Sequence, residues 1–175
     1  MIQQFVPSDF CLDKCRCCCR FSQQESIWSP CLLNDEIQVF LKNNIPPSIA
    51  SQDKKMRLIP FPKQNNLNSA GHMATIFVCP FLNTQDGKCK IYAFRPFECQ
   101  LYPFLINCRN KKKFLAVDLG CPFVKENLDK KEFKEYMSYL AEFLNNPGQL
   151  DILKDNPQII QVYEDALDLV ELKLN

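Results

Sequence analysis

The chain has 175 residues, enough for one domain with a real core and short for two. A net charge of +1 leaves no broad basic face for nucleic acid, and no stretch reaches the roughly 18 apolar residues that span a bilayer. With 4 glycines and no G-x-G-x-x-G or G-x-x-x-x-G-K-[ST] run, the two common nucleotide-phosphate loops are excluded as well.

In chain order, the start at 1–9 has neither a basic nor an apolar leader region. The expected compartment is therefore the cytoplasm, where thiols stay reduced. Residues 11–19 then hold five of the chain's 11 cysteines: Cys11, Cys15, Cys17, Cys18 and Cys19. Three thiols in a row serve no packing purpose, and an odd total in a reducing compartment argues against a disulfide scaffold. Trp28-Ser29-Pro30 breaks the chain, and Asn34 is the expected N-cap of a short helix, with Asp35 and Glu36 in its first turn. Ile37, Phe40 and Leu41 share one face of that helix before Pro46-Pro47 ends it.

Further on, Arg57–Pro60 reads as a short strand and Asn65–Ser69 as loop. Met73–Val78 is β-branched and aromatic, a buried strand leading into Cys79. Asp86-Gly87 signals a turn, with Cys89–Tyr92 expected as the strand returning from it. Phe104–Asn107 and Lys113–Val117 form a second hairpin with Asn110, Lys111 and Lys112 at its tip. The lysine run 111–113 is a solvated turn rather than a polyanion site. In the last third, Asp129 and Glu132 resemble a capping box for a helix bearing Phe133, Tyr136, Met137, Leu140 and Leu144. Pro157 is expected to open a second helix with Ile160, Tyr163, Leu167, Val170 and Leu174 as its stripe. The expected fold class is thus α+β: a small cysteine-rich metal-binding domain of short strands and loops, capped by a C-terminal pair of α-helices at 128–174. The whole of 1–175 is expected to form a single domain.

The cysteines form an N-terminal set reaching Cys31 and a second set of Cys79, Cys89, Cys99, Cys108 and Cys121. A soft metal needs several thiolates converging on one point; closely spaced cysteines supply two or three, and distant ones complete the shell. Cys15, Cys18 and Cys19 have such spacing. One isolated cysteine is more simply a small buried hydrophobe. The single histidine, His72, excludes a two-cysteine, two-histidine zinc site and leaves all-thiolate coordination, which zinc and iron–sulfur clusters both accept. A thiol nucleophile paired with His72 is the weakest reading, because such a dyad must lie within hydrogen-bond reach. The Cys11-x3-Cys15-x2-Cys18 spacing also matches a radical SAM cluster loop, but the chain is too short and too irregular for the accompanying barrel. Arg16, Arg20 and Arg95 are placed to offset the negative charge of a thiolate-bound metal. Five x-Pro-Phe triplets, such as Cys79-Pro80-Phe81 and Cys121-Pro122-Phe123, supply candidates for its apolar surround.

Taken together, the 11–19 cluster, Trp28-Ser-Pro, Cys79-Pro-Phe-Leu82, Cys89-Lys-Ile-Tyr92, Arg95-Pro-Phe-Glu-Cys99, Tyr102-Pro-Phe104 and Gly120-Cys121 occur in an order that resembles the YkgJ-type cysteine-cluster family, described as zinc- or iron-chelating. The resemblance runs over about 10–123. It implies metal ligation by Cys11, Cys15, Cys18, Cys19, Cys79, Cys89, Cys99 and Cys121, enough for two sites of four, or for one site plus spare thiols. Cys17, Cys31 and Cys108 are extra. The implied partner is a metal ion or cluster, a 4Fe-4S iron–sulfur cluster or zinc. No nucleic-acid or membrane partner is expected, and nothing points to a protein partner. Some relatives are flagellin lysine N-methylases thought to use an iron–sulfur cluster and S-adenosylmethionine. A protein lysine methyltransferase is therefore the alternative, although those chains are longer and no methyl-donor motif appears here.

Overall fold

The hairpin at 104–118 is the frame on which the rest is built. In the computed structural model, which describes residues 2–12, 18–61 and 76–174, β4 (Phe104–Arg109) and β5 (Lys112–Asp118) pair antiparallel from Phe104 opposite Val117 to Arg109 opposite Lys112. Asn110 and Lys111 turn the chain with φ of 52° and 66°. Two successive left-handed residues are what a tight hairpin turn demands, and Asn tolerates that conformation well.

Residues 104–107 of β4 are all buried, because the sheet is covered on both faces. On one face, Phe104 stacks on Phe133 at 5.2 Å and meets Tyr136 at 5.6 Å, both on α5 (Lys131–Leu144). On the other, Leu105 and Ala116 pack with Tyr163, Ala166 and Trp28. The α5 stripe behaves as its spacing predicts: Phe133, Tyr136, Leu140 and Leu144 are buried. Its start differs. Lys130 takes the N-cap position and no side chain caps the helix, so the Asp129–Glu132 capping box does not form. The N-terminal segment closes this core, with Phe5 stacked on Tyr136 at 4.5 Å and edge-on to Phe123 at 5.4 Å.

The C-terminal pair of helices is present, but its second member is α6 (Pro147–Asp155), with the Asn146 side chain accepting from Gly148 N–H. The helix expected from Pro157 onward is corrected by the structure. Pro157–Ile159 is a single 3-10 turn, β6 (Ile160–Gln161) pairs parallel to β4, and β7 (Ala166–Glu171) pairs antiparallel to β5. The sheet order is β6-β4-β5-β7. The helical spacing was real but carried less than the open edge of β5, where pairing satisfies a row of backbone groups. In the paired form Leu172 and Leu174 enter the main core, while Leu167 is left at the surface.

The preceding half is built differently. Its strands β1 (Arg20–Phe21), β2 (Ile59–Pro60) and β3 (Phe77–Val78) have two residues each and form a sheet ordered β1-β3-β2. A short α1 (Ser8–Phe10) precedes them, and α2 (Asn34–Lys42) lies between β1 and β2. Leu33, not Asn34, occupies the N-cap of α2, and Phe40 is its buried residue while Leu41 is exposed. Of the strand expected at 73–78, only Phe77–Val78 falls on described residues as strand; 73–75 and the 65–69 loop lie outside them. Cys89–Tyr92 is not a strand: Cys89 makes one bridge to Leu82, and Tyr92–Phe94 is a 3-10 turn. Gly87 does turn the chain, at φ 76°. Then α3 (Phe97–Leu101) leads into β4, and α4 (Pro122–Asn127) follows β5.

Candidate metal centre

The cysteine half and the sheet half meet around a cavity of about 810 Å³. Its wall is mostly apolar, and Cys11, Cys18, Cys19, Cys79, Cys89 and Cys99 all line it. Cys121 is not on this lining, but its chain neighbour Gly120 is. Six of the eight thiols singled out by the resemblance therefore share one wall and a seventh, Cys121, adjoins it in the chain; the eighth, Cys15, lies outside the described residues, as do Cys17, Arg16 and His72. Among the described residues no three His, Cys, Asp or Glu side chains already stand in a grip for one ion. The thiols are neighbours rather than a finished coordination shell.

Local geometry explains each placement. Cys19 and Cys79 extend the β1–β3 pairing, with Cys79 N–H donating to the Cys19 carbonyl at 3.0 Å. The Cys79 sulfur also meets Met56 Sδ at 3.3 Å. Cys89 ends the loop closed by its bridge to Leu82. Cys99 is on α3, and Cys121 is the N-cap residue of α4, where Val124 and Phe123 N–H groups reach its sulfur. The two extra cysteines among the described residues stand apart. Cys31 is buried in the main core with Gln161 Nε2 3.6 Å from its sulfur, and Cys108 lies on β4 opposite Lys113. Neither lines the cavity.

Three side-chain arrangements hold these segments in register, none of them anticipated as part of the site. Glu36 accepts from Phe97 N–H at 2.5 Å and from Leu33 N–H at 2.8 Å, tying the start of α3 to the start of α2. Glu98 returns the exchange by accepting from Cys31 N–H at 2.5 Å. Tyr102 donates to Asp118 Oδ2 at 2.8 Å, while Asp118 Oδ1 accepts from Gly120 N–H at 2.7 Å. That last pair links the end of α3 to the turn carrying Cys121. A side chain on Gly120 would begin 2.9 Å from Asp118 Oδ1, so the turn favours glycine there. The sequence signal for Glu98 was its position beside Cys99 in Arg95-Pro-Phe-Glu-Cys99, and for Glu36 its place at the third helical position. Trp28 and Tyr163, read from sequence as a chain break and a helix stripe, pack at 4.7 Å and both line the cavity.

Burial sets the electrostatics. It pushes the Cys11 thiol up to about 11, with the charges of Cys18 and Cys121 adding to the effect. The hydrogen bond with Cys19 raises Cys18 most, and burial follows. At Cys19 the Cys18 contact lowers the thiol, but the Cys79 contact and burial outweigh it and bring it up to about 12. Cys99 is raised well above the ordinary thiol range by burial, and Cys89 and Cys121 are raised by burial too. Arg95 opposes these shifts at Cys11, Cys18 and Cys89. Its guanidinium rests 4.1 Å from the centre of the Tyr92 ring and bonds to Gln4. A row of protonated thiols around one arginine suits a thiophilic cation, which displaces their protons on binding and leaves the arginine to offset the resulting negative charge.

The comparisons with known proteins agree with this chemistry. The family model described as "Putative zinc- or iron-chelating domain" (CxxCxxCC) matches residues 10–122. The chain belongs to this family. It is also similar to the uncharacterized protein MJ0661 of Methanocaldococcus jannaschii, 44% identical over 41 residues that make up 23% of this chain and 22% of that one. The chain thus matches about a fifth of that relative's length. No solved structure matches it. No helix among the described residues is long and apolar enough to cross a membrane.

Proposed function

We propose that this protein holds an iron–sulfur cluster or zinc through thiolates drawn from Cys11, Cys15, Cys18, Cys19, Cys79, Cys89, Cys99 and Cys121. The observation that carries the reading is the gathering of six of these thiols, from four separate stretches of chain, along one cavity wall. Ordinary packing scatters cysteines; it does not align six of them along one wall beside an arginine. Sulfur donors favour zinc and iron over magnesium or calcium. The metal would tie together elements too short to stand alone, so loading and folding are coupled. Free thiols are required for this, which places assembly in a reducing compartment such as the cytoplasm. The nine described cysteines are all unpaired.

The test is metal analysis with a visible spectrum after oxygen-free purification. Iron with inorganic sulfide, and a brown absorption that bleaches on reduction, identifies a cluster. A colourless protein with stoichiometric zinc identifies a zinc centre. Protein that carries neither, and takes up neither on reconstitution, overturns the proposal.

A further inference from the structure

The thiols account for only part of the cavity. Its basic lining residues belong to that part: Arg20 follows Cys19 and Lys88 precedes Cys89 in the chain, while Arg95 rests on Tyr92 and bonds to Gln4. A second part is built on Trp28 and Tyr163, whose rings lie 4.7 Å apart and tilted by 41°. Tyr163 is fixed from behind: its N–H donates to Asn107 Oδ1 at 2.8 Å, and it packs with Leu105, Ala116 and Ala166. Gln161 Nε2 lies 3.6 Å from the Cys31 sulfur, so stretches 28–31 and 161–163 sit side by side. Glu98 joins them there, one carboxylate oxygen accepting from Cys31 N–H at 2.5 Å. Glu98 and Cys99 are successive residues of α3, so their side chains leave the helix about 100° apart.

Two polar atoms in this second part are uncommitted. Among the described residues, the other oxygen of Glu98 accepts no hydrogen bond, and the Tyr163 hydroxyl neither donates nor accepts one. Neither atom is sealed off, since no buried polar side-chain atom among the described residues lacks a partner. Both residues line the cavity, as does Asp165, exposed two residues beyond Tyr163.

We propose that this part of the cavity binds an organic cation, a small alkylammonium or quaternary ammonium ion, with its charge against Glu98 and the Trp28–Tyr163 rings. Two forces select that class. An aromatic ring attracts a cation within about 6 Å of its centre, tryptophan most strongly. A carboxylate set in an apolar wall has lost much of its water, and a positive partner makes good that loss. Burial raises the Glu98 carboxyl from 4.5 to about 8, and a bound cation would draw it back. An anion would instead meet Glu98 and Asp165, and a neutral apolar molecule would leave Glu98 uncompensated. A volume of about 810 Å³ is ample for an organic ligand beside the sulfur wall. The inference stands apart from the thiolate reading, since no cysteine holds the cation.

Trp28 is the chain's one tryptophan, so its fluorescence reports on this part of the cavity. The full chain, purified without oxygen, is titrated above pH 8, where Glu98 carries its charge, at constant ionic strength. Three probes of similar bulk are compared: tetramethylammonium, tert-butanol and pivalate. A saturable change with tetramethylammonium and none with the other two is expected. Glu98→Gln keeps an acceptor for Cys31 N–H and should weaken tetramethylammonium binding by about tenfold or more. No saturable change with tetramethylammonium, an equal response to either other probe, or undiminished binding in folded Glu98→Gln overturns the proposal. Should that variant fail to fold, the three-probe comparison on wild type decides alone. Metal analysis of the same samples keeps the two readings apart. Protein that binds the cation but takes up no metal retains this inference and loses the thiolate reading; metal-loaded protein with no cation response does the reverse.

Discussion

The sheet half and the cysteine half of this molecule solve the same problem with different materials. From residue 104 onward, the β4-β5-β7 ladders supply backbone hydrogen bonds in long rows, and α5 lays a full apolar stripe on them. Among the described residues between 18 and 99 the strands have two residues, and segments are joined by single bridges and by carboxylates accepting from backbone N–H groups. Elements this short are not stable on their own. The difference teaches where the proposed metal would act: the sheet half is held by long ladders and burial, whereas the cysteine half, with a smaller core, would gain a cross-link at its centre.

The largest effect expected from that contrast is its behaviour without metal. Structural zinc sites contribute about 10–16 kcal/mol to folding. Chelation should therefore strip amide-exchange protection from β1, β3 and the Cys79–Cys99 segment while β4, β5 and α5 keep theirs. Equal loss in both halves, or none in either, would break the comparison. An intermediate effect is expected in the opposite region. Phe133 is 1% exposed and packs on Phe104 and, at 5.9 Å, on Phe5. Phe133→Ala should cost about 3–5 kcal/mol in chemical denaturation. The fraction that stays folded should hold as much metal per chain as the wild type, because Phe133 does not line the cavity.

The smallest effect sharpens the picture of how the cysteine half is stitched. Burial raises the Glu36 carboxyl from 4.5 to about 7, against the lowering pull of its two N–H donors at Leu33 and Phe97. A folded-state pKa above the unfolded value means that stability is full at low pH and declines as pH rises from 4.5 through about 7, then levels off. Glu36→Gln keeps an acceptor but does not titrate. Denaturation of the metal-loaded proteins between pH 5.5 and 8 should show wild type losing ground to the variant up to about pH 7 and running parallel above it. Curves parallel throughout would show that Glu36 gains no charge on this path.

Much of this molecule is legible in its residues, for local reasons. The 104–118 hairpin follows from two apolar runs, Phe104–Asn107 and Lys113–Val117, with Asn110 at a left-handed turn between them, and the α5 stripe from its spacing. The failures are also physical. The apolar residues from Ile160 to Leu174 fit a helix as a pattern, yet β5 offered them an unpaired edge. Glu36 and Glu98 looked like ordinary charges because their partners lie 61 and 67 residues away in the chain.

What the sequence determined alone is the inventory: the α+β class, the 11 cysteines, the spacings that place the chain in its family, and an Arg95 set among apolar residues. Donor chemistry is a property of residue types, so it can be read without coordinates. Only the tertiary structure decided which thiols are neighbours. Cys19 faces Cys79 because β1 pairs with β3, and Cys11 reaches the neighbourhood of Cys121 because Phe10 packs on Phe123. Those contacts depend on long-range pairing and on which core each segment joins, and no local pattern encodes either.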